Sequence, residues 1–378
     1  MALIVVASAC LEAATANSHV ILTDLTAADP YYRAVDELTR FRPATHVLQF
    51  HEQDVDSLIE ALRREQPRYV TVVAAPTSID ANLASRMFRL STLMNDDALM
   101  DFGYGFITGA TAEEAVGFVR NIARAESEWA SLPRRFVGVA QRGSAIGLRG
   151  SMSGSLVKAM QAYGECFRVD GWETKVLEWE PGPSGVPMPA DAISPAVLGG
   201  SRLVFIAGHG GPTWAAGIRA ADLANVDCYP AVVLCGGCET GVVNRWLSMQ
   251  RDKTIGERFV QPSDTLSLRL IRQGAVAVMV GVRSHNWADC APVVYPFYAA
   301  GRSLGDAMVP ATNQYLRSVT SVWAPVLTPG KPDETYETWN TTYLRRSTFV
   351  LYGDPAYVPF PQASEQHHGL PEDFDPFR

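Results

Sequence analysis

The chain has no apolar run approaching the roughly 20 residues that a membrane-spanning helix requires, so no membrane partner is expected. It has no Gly-x-x-x-x-Gly-Lys phosphate loop and no Gly-x-Ser-x-Gly elbow, and its glycine-rich strings lack the full dinucleotide spacing. These absences count against nucleotide-dependent chemistry and against an α/β-hydrolase. Basic clusters are missing as well, and the formal charge is −8, which argues against nucleic acid as a partner. Six cysteines in 378 residues are too few for a disulfide framework. Only 19% of residues are charged and 47% are hydrophobic, so the chain can bury a large core and is not disordered.

What is present is alternation. Short β-branched or aromatic runs at residues 3–7, 19–23, 45–50, 69–74 and 102–107 read as strands. Between them, residues 31–41, 54–65 and 79–94 repeat apolar side chains at helical spacing, most clearly at Val55, Leu58, Ile59 and Leu62. Residues 112–129 read as a long helix with Thr111 as N-cap and Glu114 three positions on. Pro133-Arg134-Arg135 then marks a boundary, and a second series begins with strands at 136–141, 174–179, 202–207, 231–234, 275–282 and 348–351 and helices at 155–167 and 264–273. The expectation is an α/β protein: a smaller α/β subdomain over 1–132, a larger sheet flanked by helices over 133–361, and an acidic, aperiodic tail over 362–378. The start of the chain, apolar but without a basic region and interrupted by Glu12, reads as a buried strand and not as a signal peptide, which makes the cytoplasm the expected compartment.

Two segments carry the chemistry. LVFIAGHGGPTW delivers His209 between Gly208 and Gly210, and AVVLCGGCETG delivers Cys238 after Gly236 and Gly237. In parallel sheets the reacting groups gather beyond the carboxyl ends of strands, so two neighbouring strands with such ends would set an imidazole beside a thiol. The imidazole can generate the thiolate and later protonate a leaving amine. The flanking glycines let backbone N–H groups approach a substrate carbonyl, and Gly210 and Cys238 are the candidate oxyanion donors. A helix opening near Cys238 would lower the thiol pKa further.

Cys235-Gly236-Gly237-Cys238 is also a CxxC after a strand, which leaves a thioredoxin-like redox protein open; with Cys235 as nucleophile, the strand would end three residues earlier. A zinc site lacks the second pair of ligands.

Strand–His–Gly followed by strand–small–Cys resembles the caspase, legumain and gingipain group of cysteine peptidases (clan CD). Cys238-Glu239-Thr240-Gly241 is similar to the Cys-Glu-Ser/Thr-Gly of legumains and CHAT domains. Gly208 to Trp214, GAVAVMVGVRSHNWADCAP (274–292) and Leu351-Tyr352-Gly353-Asp354-Pro355 resemble gingipain segments most closely, and DALMDFGYGFITGATAEEAVGFVRNIARAE (97–126) is similar to part of the gingipain first subdomain. The resemblance implies a caspase-like catalytic sheet and a cysteine endopeptidase acting on a protein or peptide substrate. It implies Cys238 as nucleophile, His209 as acid/base, Trp287 and Trp214 as pocket walls, and no cofactor or catalytic metal. Glu239, next to the nucleophile, is a candidate for orienting the loop, capping a following helix or contacting substrate, with a plain exposed carboxylate as the alternative. The acid that gives gingipains their preference for basic residues has Asp289, Glu165 and Asp170 as candidates. No propeptide is recognisable, so restraint by narrow specificity, a regulatory partner or a single client protein is expected. A silent, peptide-binding relative is the alternative of a different class.

Overall fold

The computed structural model describes residues 19–43, 45–51, 54–97, 99–142, 152–182, 192–249, 255–283, 297–298, 300–318 and 349–361. Residues 3–7, the tail from residue 362, and Trp287 and Asp289 lie outside them.

The strand-like runs come together in one ten-stranded sheet. In chain order its strands are β1 (His19–Thr23), β2 (His46–Gln49), β3 (Tyr69–Val73), β4 (Gly103–Ile107), β5 (Arg135–Gln141), β6 (Glu173–Trp179), β7 (Leu203–Ala207), β8 (Val232–Cys235), β9 (Ala277–Gly281) and β10 (Phe349–Tyr352). Their spatial order is β2-β1-β3-β4-β10-β9-β8-β7-β5-β6. The first four strands are mutually parallel, and so are β9, β8, β7, β5 and β6. The last strand joins them: β10 runs antiparallel to β9 and meets β4 through a single bridge, Tyr352 to Phe106. The carboxyl ends of the two half-sheets lie on one side, where Asp80 beyond β3 pairs with Arg245 beyond β8, and their amino ends on the other, where Tyr229 before β8 meets Glu128 before β5. The two series read from the sequence are joined in one sheet, by a strand that comes some 240 residues after β4 in the chain.

Helices separate the strands: α1 (Tyr32–Phe41), α2 (Ile59–Glu65), α3 (Ala81–Ser91), α4 (Ala112–Glu128), α5 (Met152–Val169), α6 (Leu266–Arg272) and α7 (Leu304–Ser318). The α4 start is built as the sequence suggests. Thr111 accepts a hydrogen bond from the Glu114 N–H at 3.3 Å, and the Glu114 carboxylate accepts from the Ala110 N–H at 3.0 Å. Inner strands such as YVTVV, LVFIA, VVLC and AVMVG are buried along their whole length, as a sheet covered on both faces demands. The edge strand β6 instead alternates between exposed and partly buried residues.

Besides a small three-stranded unit at residues 210–219, two elements lie outside the sequence-based expectation. One is an antiparallel ribbon, Arg245–Met249 paired with Ile255–Phe259. The other is α7, whose interior holds Pro310, a residue that removes a helical hydrogen bond. No helix among the described residues is long and apolar enough to cross a membrane.

Candidate active site

β7 and β8 are neighbours, and their register pairs Ile206 with Cys235. His209 and Cys238 each lie three residues beyond that pair, at the same carboxyl edge of the sheet. The turns that carry them touch through glycine: a methyl group on Gly210 would sit 2.8 Å from the Gly237 Cα and 2.8 Å from the Thr240 methyl. No real Cβ tolerates that approach, so both glycines are steric requirements of bringing the two turns together. His209, Gly210 and Cys238 are all partly exposed, in contrast to the buried strands that lead into them.

The histidine turn leaves the sheet at Gly208, whose φ of +153° takes it out of the strand conformation. The His209 N–H donates to Gln141 Oε1 at 2.7 Å, and the His209 carbonyl accepts from the Ala216 N–H at 2.9 Å. Beyond it the chain folds into a small three-stranded antiparallel unit in which Gly211 pairs with Trp214 and Trp214 with Arg219. Trp214 is partly exposed and meets the buried Trp179 ring edge-on, with centroids 6.0 Å apart.

The cysteine turn is held from several sides. Thr240 Oγ1 donates to the Gly237 carbonyl at 2.8 Å, and Ser267 of α6 donates to the Thr240 carbonyl. The Gly241 N–H donates to the Gly281 carbonyl at 2.8 Å, and the Tyr352 hydroxyl donates to the Gly241 carbonyl at 2.6 Å. The Glu239 N–H donates to the Arg283 carbonyl at 3.2 Å. Elements β9, β10 and α6 thus converge on the four residues from Cys238 to Gly241. No helix begins there, which corrects the expectation of a helix end near the thiol: the chain makes a turn and runs into the ribbon.

Glu239 adopts a left-handed backbone, φ +59°, unusual for a residue with a side chain and associated with functional turns. Burial raises its carboxyl pKa, while Trp246, Arg258 and Arg283 oppose that rise. The Trp246 indole nitrogen approaches it without closing a full hydrogen bond. Arg283 is partly buried, and that burial pulls its guanidinium down to about 9 against the opposing pull of Asp80 and Glu239. Glu239 therefore faces the ribbon and the end of β9. An exposed carboxylate or the cap of a following helix does not describe it.

Cys235 is fully buried at the end of β8, and burial pushes its thiol up to about 11. Such a thiol is inert near neutral pH, which leaves Cys238 as the accessible sulfur of the pair. Of the three acids considered for a basic-residue pocket, Asp289 lies outside the described residues. Glu165 is ion-paired with Arg168 on the surface of α5 at 2.6 Å. Asp170 follows the end of α5 and accepts from the Tyr298 hydroxyl at 2.7 Å. Both precede β6, so they belong to the amino edge of this half-sheet, opposite the edge that carries Cys238. Sequence reading missed Gln141, Thr240 and Tyr352. The one local signal was a polar residue closing each of the apolar strands FVGVAQ and FVLY. Among the described residues no group of three or more His, Cys, Asp or Glu could hold a metal ion.

The sequence model of peptidase family C25 matches residues 19–360. Among solved structures, the Arg-specific cysteine proteinase gingipain R (RgpB) superimposes with a TM-score of 0.58 at 10% identity, covering 91% of this chain and 78% of that one. The complex of Porphyromonas gingivalis RgpB pro- and mature domains gives a TM-score of 0.56 at 11% identity, covering 90% of this chain and 79% of that one. No curated protein sequence matches the chain. At such identities the structural likeness shows the fold: a large, mostly parallel sheet flanked by helices, as in gingipain.

Proposed function

Since the chain belongs to peptidase family C25 and is a cysteine-type endopeptidase with protein or peptide substrates, we propose that Cys238 is its nucleophile and His209 its acid/base partner. The observation that carries this reading is the packing of Gly210 against Gly237, which holds the residues that follow β7 and β8 side by side. The Cys238 thiolate attacks the scissile carbonyl carbon, and the carbonyl electrons move onto oxygen. The N–H groups of Gly210 and Cys238 hold that oxyanion, a contribution worth roughly 10²–10³ in rate for each donor in comparable enzymes. Collapse of the intermediate breaks the C–N bond as the His209 imidazolium gives its proton to the leaving amine. A thioester remains. Water, deprotonated by His209, attacks it and restores the thiol.

Trp214, resting on Trp179 beside the histidine turn, serves as one wall of the substrate cleft, and Trp287 and Asp289 serve substrate recognition. The specificity is narrow. Selection of one client protein, or control by a partner, restrains the enzyme; in support, RgpB itself forms a complex of its pro- and mature domains.

The test uses purified protein, iodoacetamide with peptide mass mapping, and fluorogenic peptides varied at the residue before the cut. Labelling at Cys238 with turnover of one peptide class, abolished in Cys238→Ala, is the expected result. Turnover that persists in Cys238→Ala, or a Cys235–Cys238 disulfide in the purified protein, would overturn the assignment.

A further inference from the structure

The geometry points to Gln141 as a positioning residue that aims the His209 side chain by capping the broken end of β7. This inference rests on His209 acting as the acid/base group. The ladder between β5 and β7 runs in register from Phe136–Leu203 to Ala140–Ala207 and stops there. At the next residue, Gly208, the backbone turns out of the sheet. From that point the main chain of β5 no longer supplies partners, and the His209 N–H would be left without one. An N–H shielded by packed chain and left without an acceptor destabilises the turn that carries it. The side chain of the last β5 residue takes over: Gln141 Oε1 accepts from His209 N at 2.7 Å.

The fit is close on every side. Gln141 is 4% exposed, so its amide is shielded from competing water. A methyl group on Gly208 would lie 2.6 Å from Gln141 Cβ and 2.9 Å from its Oε1, which shows how tightly the turn rests on this side chain. Behind it, Gln141 pairs with Trp179 in the β5–β6 register, and the Arg142 N–H donates to the Trp179 carbonyl at 2.6 Å. On the far side of the turn, the His209 carbonyl is taken by Ala216 at 2.9 Å. Both main-chain polar atoms of His209 are therefore fixed, one by a side chain and one by the small three-stranded unit. With the backbone held at both ends, the direction of the Cα–Cβ bond is set, and with it the reach of the imidazole toward Cys238.

The requirement is for an oxygen acceptor of this length. The donor is a backbone N–H, so only the oxygen of the Gln141 amide can face it. Glutamate keeps that acceptor. Methionine keeps the length and volume and provides only a weak acceptor.

The experiment compares wild type, Gln141→Met, Gln141→Glu and His209→Ala by steady-state kinetics, together with hydrogen exchange of the segment containing His209. In Gln141→Met, kcat is expected to fall by about 10- to 100-fold with KM changed less than about twofold, since misplacing a catalytic group costs rate and not binding. The amide of the His209 segment is expected to lose at least about tenfold in protection. Gln141→Glu restores kcat to within about fivefold of wild type, a rescue that a purely packing role would not produce. Unchanged kcat and unchanged exchange in Gln141→Met, beside an inactive His209→Ala, would overturn this inference while leaving the dyad intact. Activity retained in His209→Ala would instead remove the dyad reading on which it rests. The exchange measurement decides the contact even where turnover is too slow to follow.

Discussion

The two half-sheets are built from the same alternation of strand and helix, yet they end their strands differently. In the first half each of β1 to β4 runs on into a helix, and two of those helices begin with a side-chain cap. Asp80 accepts from the Asn82 and Leu83 N–H groups at the start of α3, and Thr111 caps α4. Capping satisfies the N–H groups that would otherwise point outward and closes that edge. In the second half β7 and β8 run into glycine turns instead. Their carboxyl edge holds a strained glutamate, a side-chain cap in place of a strand, and the two turns bearing His209 and Cys238. A parallel sheet offers a reactive edge wherever a strand ends. It becomes a candidate site where glycines let two turns approach and no helix covers them.

The polar interior divides in the same way. In the first half it forms a clasp: Asp354, with no exposed surface, accepts from Arg42 Nε at 2.7 Å, and Arg42 also makes a two-fold ion pair with Glu126 of α4. In the second half the polar groups hold the cysteine turn. One half uses hydrogen bonds to fasten α1 and α4 to the segment after β10, the other to aim side chains.

That contrast breaks most severely at Gly237. In Gly237→Ala the new methyl would lie 2.9 Å from the Thr240 methyl and 3.0 Å from the Ala215 Cβ, driving the cysteine and histidine turns apart. We expect kcat/KM for a turned-over peptide to fall by at least about 100-fold, since an ångström of displacement at reacting groups costs that much. The thermal midpoint should move far less, because the turn lies outside the strands of the core. Activity within tenfold of wild type would show that the close approach of the two turns is not what catalysis needs.

Much of this arrangement was legible in the sequence. The runs HVILT, YVTVV and LVFIA match the observed strands to within a residue, because strands buried on both faces write themselves as unbroken apolar runs. Gly-His-Gly and Gly-Gly-Cys stood out because a reactive residue bracketed by glycine at a strand end has few structural uses. What could not be read was pairing at long range. Nothing local to FVLY says that it lies between β4 and β9, or that Tyr352 reaches Gly241. The ribbon after Val243 pairs in register although RWLSM and IGERF lack a short turn signal between them. Gln141 is locally only the polar end of a strand, and its role comes from Gly208, which rests on it from β7. Glu165 and Asp170 were attractive as acids and were set aside only by knowing which edge of the sheet they occupy.

The clasp is the corresponding weak point of the first half. Removing one partner of a buried ion pair leaves the other uncompensated, which typically costs 3–5 kcal/mol. Arg42 keeps Glu126 and some exposure, so Asp354→Ala should lower the unfolding free energy by about 3 kcal/mol. Urea unfolding measures it. Below the new melting range kcat should stay within about threefold of wild type, because Asp354 lies at the clasp and not at the cysteine edge. A large loss of kcat with little loss of stability would show that the halves are coupled, and that the division drawn between them is wrong.

The smallest effect sharpens the comparison by pH. His19 is buried in β1, with Nε2 2.8 Å from Thr71 Oγ1, Nδ1 without a partner and Asp354 Oδ1 3.9 Å away. Burial lowers its pKa below the ordinary 6.5; Asp354 pulls it up and Arg42 pushes it further down. The unfolded chain therefore takes up a proton at His19 before the folded protein does. Its contribution to stability is complete above pH 6.5 and is lost as pH falls from there through the lower folded value. Asp101 works against this trend: burial and Asp97 raise its pKa to about 6, so the folded state binds that proton first and gains stability as pH falls through 6. Both enter the wild-type profile together with other shifted carboxyls such as Glu126 and Glu239, and the difference between wild type and His19→Gln isolates the histidine. We expect the urea midpoint of wild type to drop relative to the variant between pH 7.5 and pH 5, with kcat at pH 7.5 the same in both. Parallel midpoint curves would mean that His19 titrates alike in both states and that burial in β1 does not hold it neutral. A shift in kcat would carry the effect across the sheet to the cysteine edge, where a group in the clasp has no business acting.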